Sequence, residues 1–202
     1  MKDSFPEYEL PEPPSEGEKS PSSLNKLAKF LLDLLQMLII TLVLYLVIDA
    51  VIGRVQVESI SMLNTIEPGE LIMVSKLAYR QNDFQRGDIV VFHSPQTLGE
   101  DFIKRVVGLP GDEVVVENGR VYINGIAYEE PYIRAEPLYN GTWQVPPDSL
   151  FVLGDNRNQS SDSHEWGFVP IENVFGRALM IYWPPSQIKV LQRTNPVAAS
   201  AP

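Results

Sequence analysis

The sequence predicts a mainly β protein, with antiparallel sheets forming a β-sandwich or partly open barrel behind one N-terminal transmembrane helix. Three observations predict it. An apolar stretch from Phe30 to Ile52 precedes every other regular pattern. From Val55 onward the chain breaks into short runs rich in Val, Ile, Phe and Tyr, the composition of strands. Turn pairs punctuate those runs: Pro68-Gly69, Pro110-Gly111, Asn118-Gly119, Asn124-Gly125 and Asn140-Gly141. Such short intervals suit antiparallel neighbours.

Each element follows in order. Residues 1–25 are rich in Pro, Ser, Glu and Lys without apolar periodicity, and read as a disordered cytoplasmic tail. Residues 26–54 read as the transmembrane helix and its flanks. The charge-free centre, Leu34 to Ile48, is short for a span, but extension through Asp33 and Asp49 reaches the length needed, with both aspartates near the headgroups. Lys19, Lys26 and Lys29 precede the stretch and only Arg54 follows closely. The positive-inside bias then puts the N-terminus in the cytoplasm. Residues 55–185 form an extracytoplasmic β-rich domain, with strand runs at 71–75, 88–92, 102–107, 113–117, 120–123, 150–153 and 177–182. No segment there is strongly helical. Residues 186–202 read as a flexible C-terminal tail. Its Ala199-Ser200-Ala201 has the small-x-small pattern of a cleavage site, best read as a compositional accident.

Composition narrows the chemistry. The formal net charge of −10 argues against a nucleic-acid partner, which would want a basic patch. Cysteine is absent, which excludes disulfides, thiol catalysis and cysteine-ligated metal. With two histidines and no His-Glu-x-x-His motif, no metal site and no cofactor are expected.

What remains is hydroxyl chemistry. Ser61 lies just outside the apolar stretch, between strand-like Val55-Gln56-Val57 and the Pro68-Gly69 turn. It is the candidate nucleophile. Ser59, two residues earlier, shares its face in an extended chain and is placed to donate to a developing oxyanion. A serine needs a base, and lysine serves only when desolvation lowers its pKa. Lys104 sits among Phe102, Ile103, Val106 and Val107 and is the candidate base, facing opposite to Arg105. The polar run from Gly154 to Gly167 has the make-up of a loop that orients reacting groups. In it Ser160 can hydrogen-bond and aim the lysine amine, and Asp155 can pair with Arg105 or Arg157. The rival constellation is Ser-His-Asp, using His164 with Asp155 or Asp162. It lacks a Gly-x-Ser-x-Gly elbow.

Four ordered blocks carry a family resemblance: Ser59 to Thr65, Arg86 to Phe92, Ile103 to Asp112, and Gly154 to Ser163 with Trp166-Gly167. Together they resemble the type I signal peptidases, membrane-bound Ser/Lys proteases. The run from Asp162 to Gly167 is most similar to cyanobacterial and chloroplast members. The resemblance implies Ser61 as nucleophile and Lys104 as general base. It implies Ser59 with the Ser61 N–H as oxyanion hole, and Ser160 as lysine orienter. Arg105 and Asp155 would form a structural ion pair, with Asp162 supporting the site. The implied partners are signal peptides of exported preproteins and the lipid bilayer, at the plasma membrane or a thylakoid-type internal membrane. The substrates carry small residues at the first and third positions before the cut and bind extended, against pocket walls expected from Val57, Met62, Ile66, Phe102 and Ile103.

Three positions depart from the family pattern. Asn64 stands where Pro is usual, which would loosen the loop. Glu58 replaces an uncharged residue and is expected to raise the lysine's pKa. His164 replaces an arginine of many bacterial members. Two alternatives share features with this reading: an inactive membrane-anchored β-domain that binds exported chains, and a self-cleaving Ser/Lys repressor-type protease.

Overall fold

The computed structural model describes residues 23–79, 83–97, 99–193 and 197–198, the last two for backbone only. Most of the 1–25 tail and the Ala199-Ser200-Ala201 pattern lie outside the described residues. The first element is helix α1, Ser23–Val51, with apolar side chains exposed on every face from Leu24 to Ile48. Its 29 residues measure about 43 Å at 1.5 Å per residue, enough for a hydrocarbon core of about 30 Å. By length and composition it can cross a membrane.

The rest, from Leu46 on, is mainly antiparallel β. The strands are β1 Ile52–Gln56, β2 Leu71–Ser75, β3 Ile89–His93, β4 Asp101–Gly108, β5 Glu113–Glu117, β6 Arg120–Ile123 and β7 Ile126–Glu129. They continue as β8 Gly141–Gln144, β9 Ser149–Leu153, β10 Val169–Pro170, β11 Val174–Trp183, β12 Lys189–Val190 and β13 Val197–Ala198. A four-residue helix, α2 Ser163–Trp166, interrupts them. Strands 1, 2, 11, 3, 4, 9 and 10 form one sheet in that order, with β12 pairing β11. A second sheet runs 13, 7, 6, 5, 8. Neither closes into a barrel.

The second sheet is a meander made by two two-residue turns. Glu117 pairs Arg120 across Asn118-Gly119, and Ile123 pairs Ile126 across Asn124-Gly125. All four turn residues have positive φ, at 51° and 77° and again at 53° and 77°. That is the type I′ geometry whose twist matches the strands it joins, and Asn-Gly supplies it cheaply. One core, with Val107, Val114, Val121, Phe151 and Leu153, lies between this sheet and strands β4 and β9. A second core gathers Val57, Met62, Ile66, Ile72, Val91 and Ile103. Alternating burial along β2 and β5 is the period-two pattern of half-buried strands.

The stretch expected to be a flexible tail from 186 is tied down through residue 193. Strand β12 pairs with β11, Leu191 is buried in the core, and Arg193 Nε bonds Asp88 Oδ1 at 2.7 Å. Ile188 and Val190 alternate with polar Gln187 and Lys189 over too few residues to signal a strand in the sequence.

Candidate active site

Strand β4 positions the lysine. Alternation puts Phe102 and Lys104 on one face and Ile103 and Arg105 on the other. Pairing with β3 and β9 buries the middle of the strand, and Lys104 is 4% exposed. Its Nζ lies 2.8 Å from Ser61 Oγ and 5.3 Å from the Phe102 ring centroid. Burial pushes its pKa down from 10.5 to about 8, opposed by the negative charge of Asp162. The opposing charge expected from Glu58 thus comes from Asp162 instead; Glu58 is exposed at the groove rim.

The serine sits where the chain leaves β1 and tightens into a turn. Leu63 N–H donates to Ile60 O, and the Thr65 and Ile66 N–H groups donate to Met62 O. Asn64 has φ 79°, in the left-handed region that Asn tolerates and Pro cannot enter. The loop is therefore closed by a different device rather than loosened. Ser59 Oγ lies 3.0 Å from Ser61 Oγ. Among the described residues, the Ser61 N–H donates no hydrogen bond, which leaves it available to an incoming oxygen.

The polar loop after β9 buttresses this turn from behind. Asn156 N–H donates to Ser61 O at 3.0 Å, and its side-chain amide donates to Ile60 O at 3.1 Å. Gly154 comes so close that a Cβ there would lie 2.5 Å from Ser61 O. Arg105 makes a two-pronged ion pair with Asp155, at 2.8 and 2.6 Å, and donates to Gly87 O at 2.9 Å. Thr65 Oγ1 donates to Asp155 as well, so the ion pair reaches the serine loop. Sequence assigns no role to Gly154, Asn156 or Thr65, although all three lie within the family-like blocks and the Gly-Asp-Asn turn composition signals the first two.

Asp162 is fully buried, with Oδ2 accepting the Gly154 N–H at 2.9 Å. Ser160 is buried beside Gly154, but the expected bond to the lysine amine is not made: among the described residues its hydroxyl has no hydrogen-bond partner. The rival histidine constellation is not assembled. His164 Nδ1 pairs with Asp162 at 2.7 Å, whereas the Ser61 hydroxyl has Lys104 and Ser59 as its partners.

An open groove of about 660 Å³ runs past the serine, lined by Val55, Val57, Ser59, Ile60, Phe102, Ile103 and Gln159 among others. Of the expected pocket walls, Val57, Phe102 and Ile103 line it. Met62 and Ile66 do not; both are completely buried in the core, where the tight turn after Ser61 directs them inward. Among the described residues no group of three His, Asp or Glu side chains is arranged to hold a metal ion.

A β domain with a serine hydroxyl against a buried lysine that has no ion-pair partner among the described residues, beside a groove wide enough for an extended chain, has the form of a Ser/Lys peptidase. The family model for signal peptidase, peptidase S26, matches residues 31–183, and the chain belongs to that family. It is a serine peptidase of the membrane-bound class that removes signal peptides. A signal peptidase I from Leptolyngbya laminosa is 49% identical over 140 residues, 65% of this chain and 69% of that protein. A probable signal peptidase I-1 from Synechocystis is 42% identical over 168 residues, covering 79% and 86% of the two chains. A chloroplastic thylakoidal processing peptidase 1 from Arabidopsis thaliana is 38% identical over 148 residues, 65% of this chain and 42% of that one. The similarity to cyanobacterial and chloroplast members is thereby borne out.

Proposed function

We propose that this chain is an endopeptidase that cuts signal peptides from exported preproteins, with Ser61 as nucleophile and Lys104 as general base. The observation that carries the reading is the 2.8 Å contact between the buried Lys104 Nζ and Ser61 Oγ. With a pKa of about 8, about a tenth of the lysines are neutral at pH 7, against on the order of 10⁻⁴ for an ordinary lysine. In the neutral form the hydrogen bond reverses, and the hydroxyl donates to the amine.

Ser61 Oγ then attacks the scissile carbonyl carbon as Lys104 takes its proton. The oxyanion is met by the Ser61 N–H and the Ser59 hydroxyl. Lys104 gives the proton to the leaving amine, and the mature chain departs. Water, losing a proton to Lys104, attacks the ester, and Ser61 regains its hydrogen as the signal peptide leaves. Asp155, Arg105 and Asp162 hold the loop that supports the nucleophile, and Ser160 lies within the same packed turn. Small substrate side chains, at the first and third positions before the cut, suit the shallow walls of Val57, Phe102 and Ile103.

Helix α1 serves as the membrane anchor within residues 26–54, and residues 55–193 form the peptidase domain. Lys26 and Lys29 before the span, against Arg54 after it, favour a cytoplasmic N-terminus and an extracytoplasmic active site. The host membrane is the plasma membrane or a thylakoid-type internal one. The test is cleavage of a preprotein by the full chain in detergent or liposomes, comparing wild type, Ser61→Ala and Lys104→Ala. Cleavage only by wild type is expected. Equal rates for all three would refute the dyad, and no cleavage by any would favour a binding domain.

A further inference from the structure

We propose that His164 is a positioning residue for the reaction: through Asp162 it sets the negative charge that faces Lys104, so the state of the imidazole governs how readily the lysine acts as base. The proposal rests on the Ser61–Lys104 reading above.

Asp162 is 0% exposed, and both its oxygens are engaged. Oδ2 accepts from Gly154 N–H at 2.9 Å. Oδ1 faces His164 twice, accepting the backbone N–H at 3.2 Å and contacting ring Nδ1 at 2.7 Å. Among the described residues no arginine or lysine forms an ion pair with Asp162, so the His164 ring is the one group in direct contact with it that can become cationic. Burial lowers the pKa of Lys104, and the Asp162 charge opposes that by favouring the ammonium. The carboxylate thus touches the ring through Oδ1 and, through Oδ2, the Gly154 turn packed against Ser61 O, and its charge acts on Lys104 across that turn.

The ring is held in place for this task. Tyr139 stacks on it with centroids 3.9 Å apart and planes within 9°. Its side chain remains 16% exposed, so protons reach it from solvent. Apart from Asp162, the ring faces Glu165 on its own helix, with Oε1 3.9 Å from Nε2. Tyr139 brings its phenol from the loop between β7 and β8, and the Arg157–Glu130 ion pair lies in the same region. Glu165 and Asp162 both favour the imidazolium, against the cost of its burial, and the net effect raises the ring's pKa above 6.5.

The physical consequence is a coupled titration. A neutral ring leaves the Asp162 charge uncompensated, and the carboxylate stabilises the lysine ammonium. A protonated ring compensates that charge, and the lysine releases its proton more readily. As pH falls, the imidazole charges in the range where Lys104 would otherwise lose its basic form. His164 therefore extends activity toward lower pH than a neutral residue there would allow. A permanent cation would do so at every pH.

The test is the pH dependence of kcat/KM for the full-length chain in detergent with a preprotein substrate, comparing wild type, His164→Arg and His164→Gln. The acid limb of the arginine variant should lie about half a pH unit or more below that of the glutamine variant, a modest share of the shifts that buried charges produce. The wild-type limb should fall between them. Coincident limbs, with or without a uniform drop in rate, would overturn the proposal and leave a structural role. A second measurement does not depend on the His164 variants folding. Reciprocity requires the His164 titration, followed by NMR with His93→Gln for assignment, to move to higher pH in Lys104→Met. An unchanged titration would overturn the proposal too. Ser61→Ala and Lys104→Ala are run in parallel. If either cleaves like wild type, the dyad itself fails, an outcome separate from the behaviour of His164.

Discussion

Lys104 and Arg105 are neighbours on one strand and are similarly buried, 4% and 1% exposed, yet their charges meet opposite surroundings. Arg105 faces Asp155 through a two-pronged ion pair and donates to a backbone carbonyl. Lys104 faces a neutral hydroxyl and a phenyl ring. A buried cation with a carboxylate fork keeps its proton and fixes structure. A buried cation without one is ready to release it. Alternation along β4 thus assigns stability to one face and reactivity to the other.

The sharpest way to break this contrast is Lys104→Met, which keeps the stem and removes the amine. Signal-peptide cleavage should fall by about 10³-fold or more, the upper range for losing a general base. Stability should move the other way. The unfolded lysine titrates at 10.5 and the folded one at about 8, so the unfolded chain binds the extra proton between these values. The destabilisation, about 3 kcal/mol, is fully present below pH 8 and gone above 10.5. Urea melts should show Lys104→Met more stable than wild type at pH 7, with the gap closing as pH rises. On the other face, Asp155→Ala strands the Arg105 charge. It should cost about 3–5 kcal/mol, with part recovered in Arg105→Met/Asp155→Ala. The same urea melts read this out.

Ser59→Ala addresses the hydroxyl beside the nucleophile. It should lower kcat roughly 10²-fold with KM little changed, as for other oxyanion donors. Steady-state kinetics at saturating precursor separate the two. The smallest effect is expected at Asn64. Asn64→Pro forces a backbone that φ 79° forbids, at about 1–3 kcal/mol, while Asn64→Gly should be tolerated. Thermal melts rank the pair.

Much of this was legible in the sequence because its signals are local. The runs at 71–75, 113–117 and 120–123 coincide with β2, β5 and β6, and Asn118-Gly119 forms the expected hairpin. The anchor helix announces itself by uniform apolarity. Strands β8 and β12 did not stand out, because Gly141–Gln144 and Lys189–Val190 are short and half polar and are fixed by their partners. The serine–lysine pairing was legible through residue type and spacing, although its contact spans 43 residues of sequence. What was not legible was direction. Met62 and Ile66 look like groove walls beside Ser61 but point into the core, because the turn closed by Met62 O reverses the chain. Nor could sequence decide which acid acts on the lysine: Glu58 is three residues from the serine but exposed, while Asp162 reaches the site only through the fold.

In the proposed mechanism Lys104 acts as a base because, among the described residues, no carboxylate on its face of β4 contacts it directly, and the Asp162 charge only partly offsets the effect of burial. The measurement that tests it most directly is the acid limb of the wild-type kcat/KM profile. An apparent pKa of about 8 is predicted, together with loss of cleavage in Lys104→Ala across the profile. A limb near the ordinary lysine value, or cleavage that survives in Lys104→Ala, would contradict it.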